Sequence, residues 1–257
     1  MIERVNIVCL KHGNVYDWTW VDKLYNGVKR SFTVPFNFYV FTDAVDPSIK
    51  YSQIRLPYIE GLEGYKKNSG AWWYKLYLFA KDNNLKGTVI YFDLDVILTG
   101  NCDFLTQIPK DKFGIPKEWR KEYSGSRQMY NSSVMVFSGG EYDFLWKLYL
   151  QRRLHAQPRL HGDQNFISIH LRFDTIHELD RDKVVSWRYN VYNGGVKSYG
   201  ISKLSDSRNR IKCLEHITYN TPGVHNLPHE ARVVVFNGYR YKPNLVENVG
   251  WIEEFWA

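Results

Sequence analysis

Cysteine is scarce in this 257-residue sequence, and its three copies are Cys9, Cys102 and Cys213. They are odd in number, far apart and outside any CxxC or His-paired spacing, which excludes a disulfide framework and a cysteine-based zinc site. Reduced thiols in an intracellular protein fit that usage. No stretch approaches the roughly 18 apolar residues of a membrane span. Met1-Ile2-Glu3-Arg4 leads straight into a strand-like run, without the basic and long apolar regions of a secretory signal. The reading is a soluble, cytoplasmic protein with no transmembrane segment. Basic residues come in pairs such as Lys29-Arg30, Lys66-Lys67 and Arg152-Arg153, never in blocks of about five or more, so no nucleic-acid arm is present. No period of roughly 20–50 residues repeats, which excludes a solenoid.

What is present is a globular composition, 44% hydrophobic and 24% charged, in a chain long enough to bury its own core. Aromatics are abundant, with 9 Trp, 19 Tyr and 14 Phe. Such flat, amphipathic surface suits core packing and also a carbohydrate or nucleoside pocket. The net charge of +7 favours an anionic partner, whether nucleic acid, a membrane surface or a phosphorylated small molecule.

Strands and helices alternate along the chain. Val5 to Leu10 reads as a buried strand closed by the turn Lys11-His12-Gly13-Asn14. Asp17 can cap a helix over Trp18 to Ser31, where Val21, Leu24, Tyr25 and Val28 recur at three and four. Phe36 to Thr42 is strand-like, and Ile54 to Tyr58 is a weaker third strand. Ala71 to Ala80 is apolar on nearly every side and predicts a buried helix with Lys75 as its anomaly. An ammonium there must reach water or meet an anion. Strands are expected at 131–138, 184–187 and 232–236, helices at 142–154 and 162–171, and a loop-like insertion at 190–229. The pattern predicts one α/β domain over 1–257 with a largely parallel sheet.

The clearest strand, Gly87 to Phe92, runs into Asp93-Leu94-Asp95. Alternate residues of an extended segment share a face, so both carboxylates can enter one pocket at the carboxyl end of a strand, where α/β folds bind ligands. Two hard oxygen donors so placed can hold Mg²⁺ or Mn²⁺, which can bridge a diphosphate. Alternatively Asp93 is itself a nucleophile toward a phosphoryl group with Asp95 as acid/base. Phe92 to Leu98 does look like the nucleophile motif of haloacid-dehalogenase phosphatases, and Gly162 to Asn165 like their late acidic motif. The two hydrophobic residues Val96-Ile97 and the 90 or so preceding residues with their own βαβ pattern depart from that superfamily.

Taken together, Trp72-Trp73-Tyr74-Lys75, Tyr91-Phe92-Asp93-Leu94-Asp95, Asn131-Ser132-Ser133-Val134-Met135, His161 to Phe166, Ser186-Trp187-Arg188-Tyr189 and Val235-Phe236-Asn237-Gly238 give a further likeness. In their order, the chain resembles the metal-dependent glycosyltransferases of GT-A fold related to family 8, the glycogenin and lipopolysaccharide galactosyltransferase group. The resemblance implies a Rossmann-like nucleotide-sugar-binding fold, a central mostly parallel mixed sheet flanked by helices. Residues 1–100 would be the nucleotide-binding half and 101–257 the donor-sugar and acceptor half.

It implies transfer of a hexose, glucose or galactose, from a UDP-sugar to a hydroxyl acceptor on a glycan or small polyol, with Mn²⁺ or Mg²⁺. Asp93 and Asp95 would bind the metal, Asp93 also standing near the donor. Lys11, Tyr16, Thr42 and Asp43 would line the nucleoside site. Asn131 and Ser132 would face the donor sugar, Gly238 and Lys242 would approach the diphosphate, and Lys75 would serve the donor site. Asp163 and Gln164 would either supply the base for the acceptor hydroxyl or bracket the donor sugar, Asp163 alternatively capping its helix. Relatives carry His where this chain has Asn237, so the third metal ligand would be an amide oxygen, with His225 and His229 nearby. A non-catalytic glycan or nucleic-acid binder is the reading of a different class.

Overall fold

A computed structural model describes residues 4–60, 62, 70–119, 130–157, 159–160, 162–192, 196–205, 211–219, 225–236 and 242–257, with backbone alone at 70–71, 196–205 and 211–219. The elements run β1 (Val5–Lys11), α1 (Trp18–Ser31), β2 (Phe36–Thr42), β3 (Ser52–Arg55), α2 (Gly70–Trp73), β4 (Thr88–Phe92), β5 (Val96–Leu98) and β6 (Phe113–Ile115). They continue with β7 (Val134–Ser138), α3 (Asp143–Ala156), α4 (Asp163–His170), β8 (Ile176–Glu178), β9 (Val184–Ser186), β10 (Val196–Ser205), β11 (Ile211–Tyr219), β12 (Val233–Val235) and α5 (Gly250–Phe255).

The main sheet has seven strands in the order β3-β2-β1-β4-β7-β6-β8. The first four are mutually parallel, and only β7 runs against its neighbours β4 and β6. The runs of Val, Ile and Phe in β1 and β4 are buried almost throughout, as strands covered on both faces must be. Strands of the second half thus extend the sheet begun by the first. A smaller sheet, β5-β12-β9, carries the chain onward from the aspartates.

Helix α1 covers one face. Its Val21, Leu24 and Val28 are buried at helical spacing, and Asp17 accepts from the Thr19 backbone N–H at 3.0 Å, a cap worth about 1 kcal/mol. The other face is covered by residues 73–79, α3 and α4, through aromatic contacts such as Trp73 stacked on Tyr149 at 5.2 Å and Phe79 edge-on to Phe137 at 4.9 Å. The expected helix over 71–80 is instead a short α-turn followed by a 3₁₀ stretch from Tyr74 to Phe79. Every residue of that stretch is buried, so no solvent face imposes the 3.6-residue period.

The insertion read as a loop at 190–229 contains a two-stranded antiparallel hairpin, β10 with β11. Its strand pattern is masked by the polar residues around it, although Ile211, Ile217 and Tyr219 stand beside polar neighbours. Cys9 and Cys102 are buried free thiols, which burial holds well above their usual pKa. No described helix is long and apolar enough to cross a membrane.

Candidate functional site

Strand β4 delivers the two aspartates. The Asp93 backbone N–H donates to Ser133 O at 2.9 Å, fixing the strand end to the approach of β7, and Val96 N–H closes the turn onto Asp93 O at 3.3 Å. Leu94 points into the core, 2% exposed, so the carboxylates on either side of it turn to the polar cluster instead. Tyr91, two residues before Asp93 and on its face, donates its hydroxyl to Asp93 Oδ1 at 2.5 Å.

Lys75 is the hub of this cluster. Its Nζ lies 2.8 Å from Asp93 Oδ1, 3.1 Å from Asp93 Oδ2 and 3.7 Å from Asp163 Oδ2, and donates to Ser132 Oγ at 3.4 Å. Ser132 in turn donates to Asp163 Oδ2 at 2.5 Å. The N-cap of α4 is Gly162, and the Asp163 carboxylate is turned into this network. Gly162 has φ +131° and ψ −164°, a region open essentially to glycine alone, and lies against half-exposed Trp72. Gln164 follows, half-buried in the first turn of α4.

Asp95 has a separate environment. Lys242 Nζ donates to its Oδ2, and Tyr16 OH donates to the same oxygen at 3.4 Å. The Lys242 ammonium stands 5.5 Å over the Tyr16 ring. Asp93, Asp95 and Asp163 therefore face two ammoniums, Lys75 and Lys242.

The electrostatics follow from burial and these pairs. Burial works to raise Asp93, but the Lys75 charge and the Lys75 and Tyr91 hydrogen bonds overcome it and hold the carboxyl below its ordinary value. Burial works to lower Lys75, and the charges of Asp163 and Asp93 reverse that. Asp95 and Asp163 are raised by burial, which Lys242 and Lys75 respectively offset only in part. Burial and the neighbouring Asp93 push the Tyr91 hydroxyl well above its usual value.

The residues expected at the nucleoside end gather at the carboxyl ends of β1 and β2. Gly13 N–H donates to both oxygens of Asp43 at 3.1 Å, and His12 stacks on Tyr74 with ring centroids 4.8 Å apart. Lys11 is buried, with Nζ donating to Gly13 O at 3.3 Å and standing 5.2 Å over Trp18. Two expected contacts are used locally: the Thr42 hydroxyl accepts from Ala44 N–H at 3.2 Å, and Asn131 Oδ1 accepts from Ser133 N–H at 3.0 Å. Asn237 and Gly238 lie outside the described residues. Of the alternative ligands, His225 packs against Trp187 and Tyr192, and His229 is exposed beside Glu230. Sequence reasoning missed Tyr91, although the two-residue period of β4 puts Tyr91 on the face of Asp93. It also missed the Lys242–Asp95 pair, which joins positions 147 residues apart.

Asp93 and Asp95 offer hard carboxylate oxygens, as Mg²⁺ and Mn²⁺ prefer, and Asp95 already holds a cation in the form of an ammonium. The residues fit such an ion. Among the described residues no group of three His, Cys, Asp or Glu is placed to hold it, so further ligands would come from elsewhere.

No protein-family model matches the chain, and no curated protein matches it in sequence. Solved structures do match in fold. An active-site mutant of LgtC superposes with TM-score 0.62 at 13% identity, covering 97% of this chain and 93% of that chain. The galactosyltransferase LgtC in complex with donor and acceptor sugar analogs gives 0.60 at 12% identity, with the same coverage. The bifunctional glycosyltransferase WbbM in its apo form gives 0.55 at 11% identity, over 98% of this chain and 51% of that one. The chain thus has the α/β fold of these GT-A glycosyltransferase structures. Identity this low establishes the architecture, and chemistry must be argued from the site.

Proposed function

We propose that this chain is a glycosyltransferase that moves a hexose, glucose or galactose, from a UDP-sugar to a hydroxyl acceptor on a glycan or small polyol, in a divalent-metal-dependent reaction. The observation that carries the reading is the meeting of Asp93 and Asp163 on buried Lys75 at the carboxyl end of β4, with Asp95 two residues on held by Lys242. The likeness in fold to glycosyltransferases supports it. Free, buried Cys9 and Cys102 are in keeping with a reducing compartment, and the cytoplasm is the proposed location.

Asp93 and Asp95 would hold Mn²⁺ or Mg²⁺, with Asn237 the third protein ligand in this proposal. Such an ion, when bound, neutralises charge on a leaving diphosphate. The chain's own groups do the rest. Lys75 and Tyr91 fix the Asp93 carboxylate, so its geometry is set before ligand arrives. Lys11, Tyr16, Thr42 and Asp43, at or beside the ends of β1 and β2, would frame the nucleoside. Asn131, Ser132 and Gln164 would frame the sugar, and Gly238 with Lys242 would meet the diphosphate. Asp163, oriented by Ser132 and Lys75, would present its carboxylate to the acceptor hydroxyl or to the donor sugar.

The test is release of UDP from UDP-glucose and UDP-galactose, with water or a panel of saccharide acceptors. The reading expects release with Mn²⁺ and none with EDTA. Equal release in EDTA would contradict metal dependence, and no release under any condition, with hydrolysis of a phosphomonoester instead, would favour nucleophilic use of Asp93.

A further inference from the structure

Each aspartate of the Asp93-Leu94-Asp95 turn has its own lysine, and the two lysines are held differently. Lys75 is 8% exposed, rises from a stretch in which every residue is buried, and binds both oxygens of Asp93. Lys242 is on no helix or strand. It has extended backbone just before the turn Pro243–Leu245, where its carbonyl accepts from Leu245 N–H at 2.9 Å. Its only described partners besides Asp95 are the ring and hydroxyl of Tyr16. Asp95 is 9% exposed at its side chain and Lys242 19%, so the pair is largely withdrawn from water.

Resting on the nucleotide-sugar reading, we propose that Lys242 is a built-in counter-cation of Asp95 that must leave this carboxylate before a divalent cation can bind there, and that the incoming diphosphate receives it. A dication and an ammonium on one carboxylate oxygen repel each other, so metal alone has to displace Lys242 from a buried ion pair. A lysine carries its charge on a flexible four-carbon stem and can swing to a new anion without moving its backbone. A diphosphate beside the same site is that anion. Metal and nucleotide then bind with positive coupling, because each removes a cost the other would otherwise meet, and the coupling is reciprocal. Lys75 differs: it also has Asp163 and Ser132 as partners, so it can turn toward them within the cluster when Asp93 takes up the ion, whereas Lys242 has no second carboxylate among the described residues.

The experiment counts free Mn²⁺ by electron paramagnetic resonance in titrations of the full chain, with and without UDP, in wild type, K242M, K242Q and K242R, with folding of each checked by circular dichroism. Without UDP, Mn²⁺ should bind K242M and K242Q about tenfold more tightly than wild type, and K242R should match wild type, since it retains the competing charge. The gain in Mn²⁺ affinity on adding UDP should shrink by a similar factor in K242M and K242Q. Two neutral variants keep the comparison standing if one of them fails to fold. Unchanged or weaker Mn²⁺ binding in the neutral variants, with UDP-promoted binding intact in wild type, would overturn the exchange and leave the nucleotide-sugar reading standing. Absence of Mn²⁺ and UDP binding in all four proteins would overturn both.

Discussion

Asp93 and Asp95 are separated by a single leucine, yet the two sides of that turn are built on different terms. The Asp93 side is a closed network of Lys75, Tyr91, Ser132 and Asp163, contributed by a central strand, a buried 3₁₀ stretch, the approach to β7 and the start of α4. The Asp95 side rests on Lys242 and Tyr16, which come from segments outside helices and strands. Core elements make the first side rigid and costly to alter. The second can exchange partners, which is what a site taking up and releasing a charged ligand requires.

The largest break in this contrast should come from K75M. Removing the ammonium leaves Asp93 and Asp163 buried without their charge partner, so urea unfolding should show a loss of about 3–5 kcal/mol. Turnover of UDP-sugar should fall by about 10²–10³ as well. D95A should separate the two effects. Lys242 can then reach water along its stem, so the stability loss stays under about 2 kcal/mol, while metal-dependent UDP binding disappears from calorimetric titrations.

Smaller changes sharpen the same line. G162A places a Cβ 3.3 Å from Trp72 at a φ of +131°, and thermal unfolding should report about 1–3 kcal/mol of destabilisation. Y91F deletes the hydroxyl that donates to Asp93, a hydrogen bond to a charged group, at a cost of about 1.5–3 kcal/mol. Activity should fall with it, because the carboxylate loses one of its anchors.

The smallest effect lies away from both sides, at Asp103. Burial tends to raise this carboxyl, but the hydroxyl and backbone N–H of Thr33 hold it below its ordinary value. A depressed carboxyl stabilises the fold above its unfolded pKa, near 4, and loses that contribution as pH falls through the folded value. D103N should therefore flatten the acid limb of a stability–pH curve slightly and leave UDP binding unchanged.

The Asp93 side was largely legible in the sequence. Strand β4 is a continuous β-forming run that ends at the aspartates, and an apolar segment around Lys75 demands an anion or an exit to water, but the extended pairing expected of Asp93 and Asp95 gives way to a turn closed by Val96 N–H onto Asp93 O. The Asp95 side was not legible to the same degree, because its lysine lies 147 residues away and pairs through folding alone. Short strands such as β6 and β8, three residues each, carry too little pattern to stand out from their neighbours. The β10–β11 hairpin was hidden because Gly, Asn and Ser at its ends read as loop. Asp163 shows the limit most clearly: an acidic residue before an apolar run suits a cap, and only the Ser132 and Lys75 contacts show its carboxylate turned into the network.

The most direct test of the central claim is calorimetric titration of UDP into the wild-type protein and D95A, each with Mn²⁺ and with EDTA. The account predicts binding to wild type with Mn²⁺, strongly weakened in EDTA, and no metal-dependent binding to D95A. Equal UDP affinity in all four titrations would contradict it.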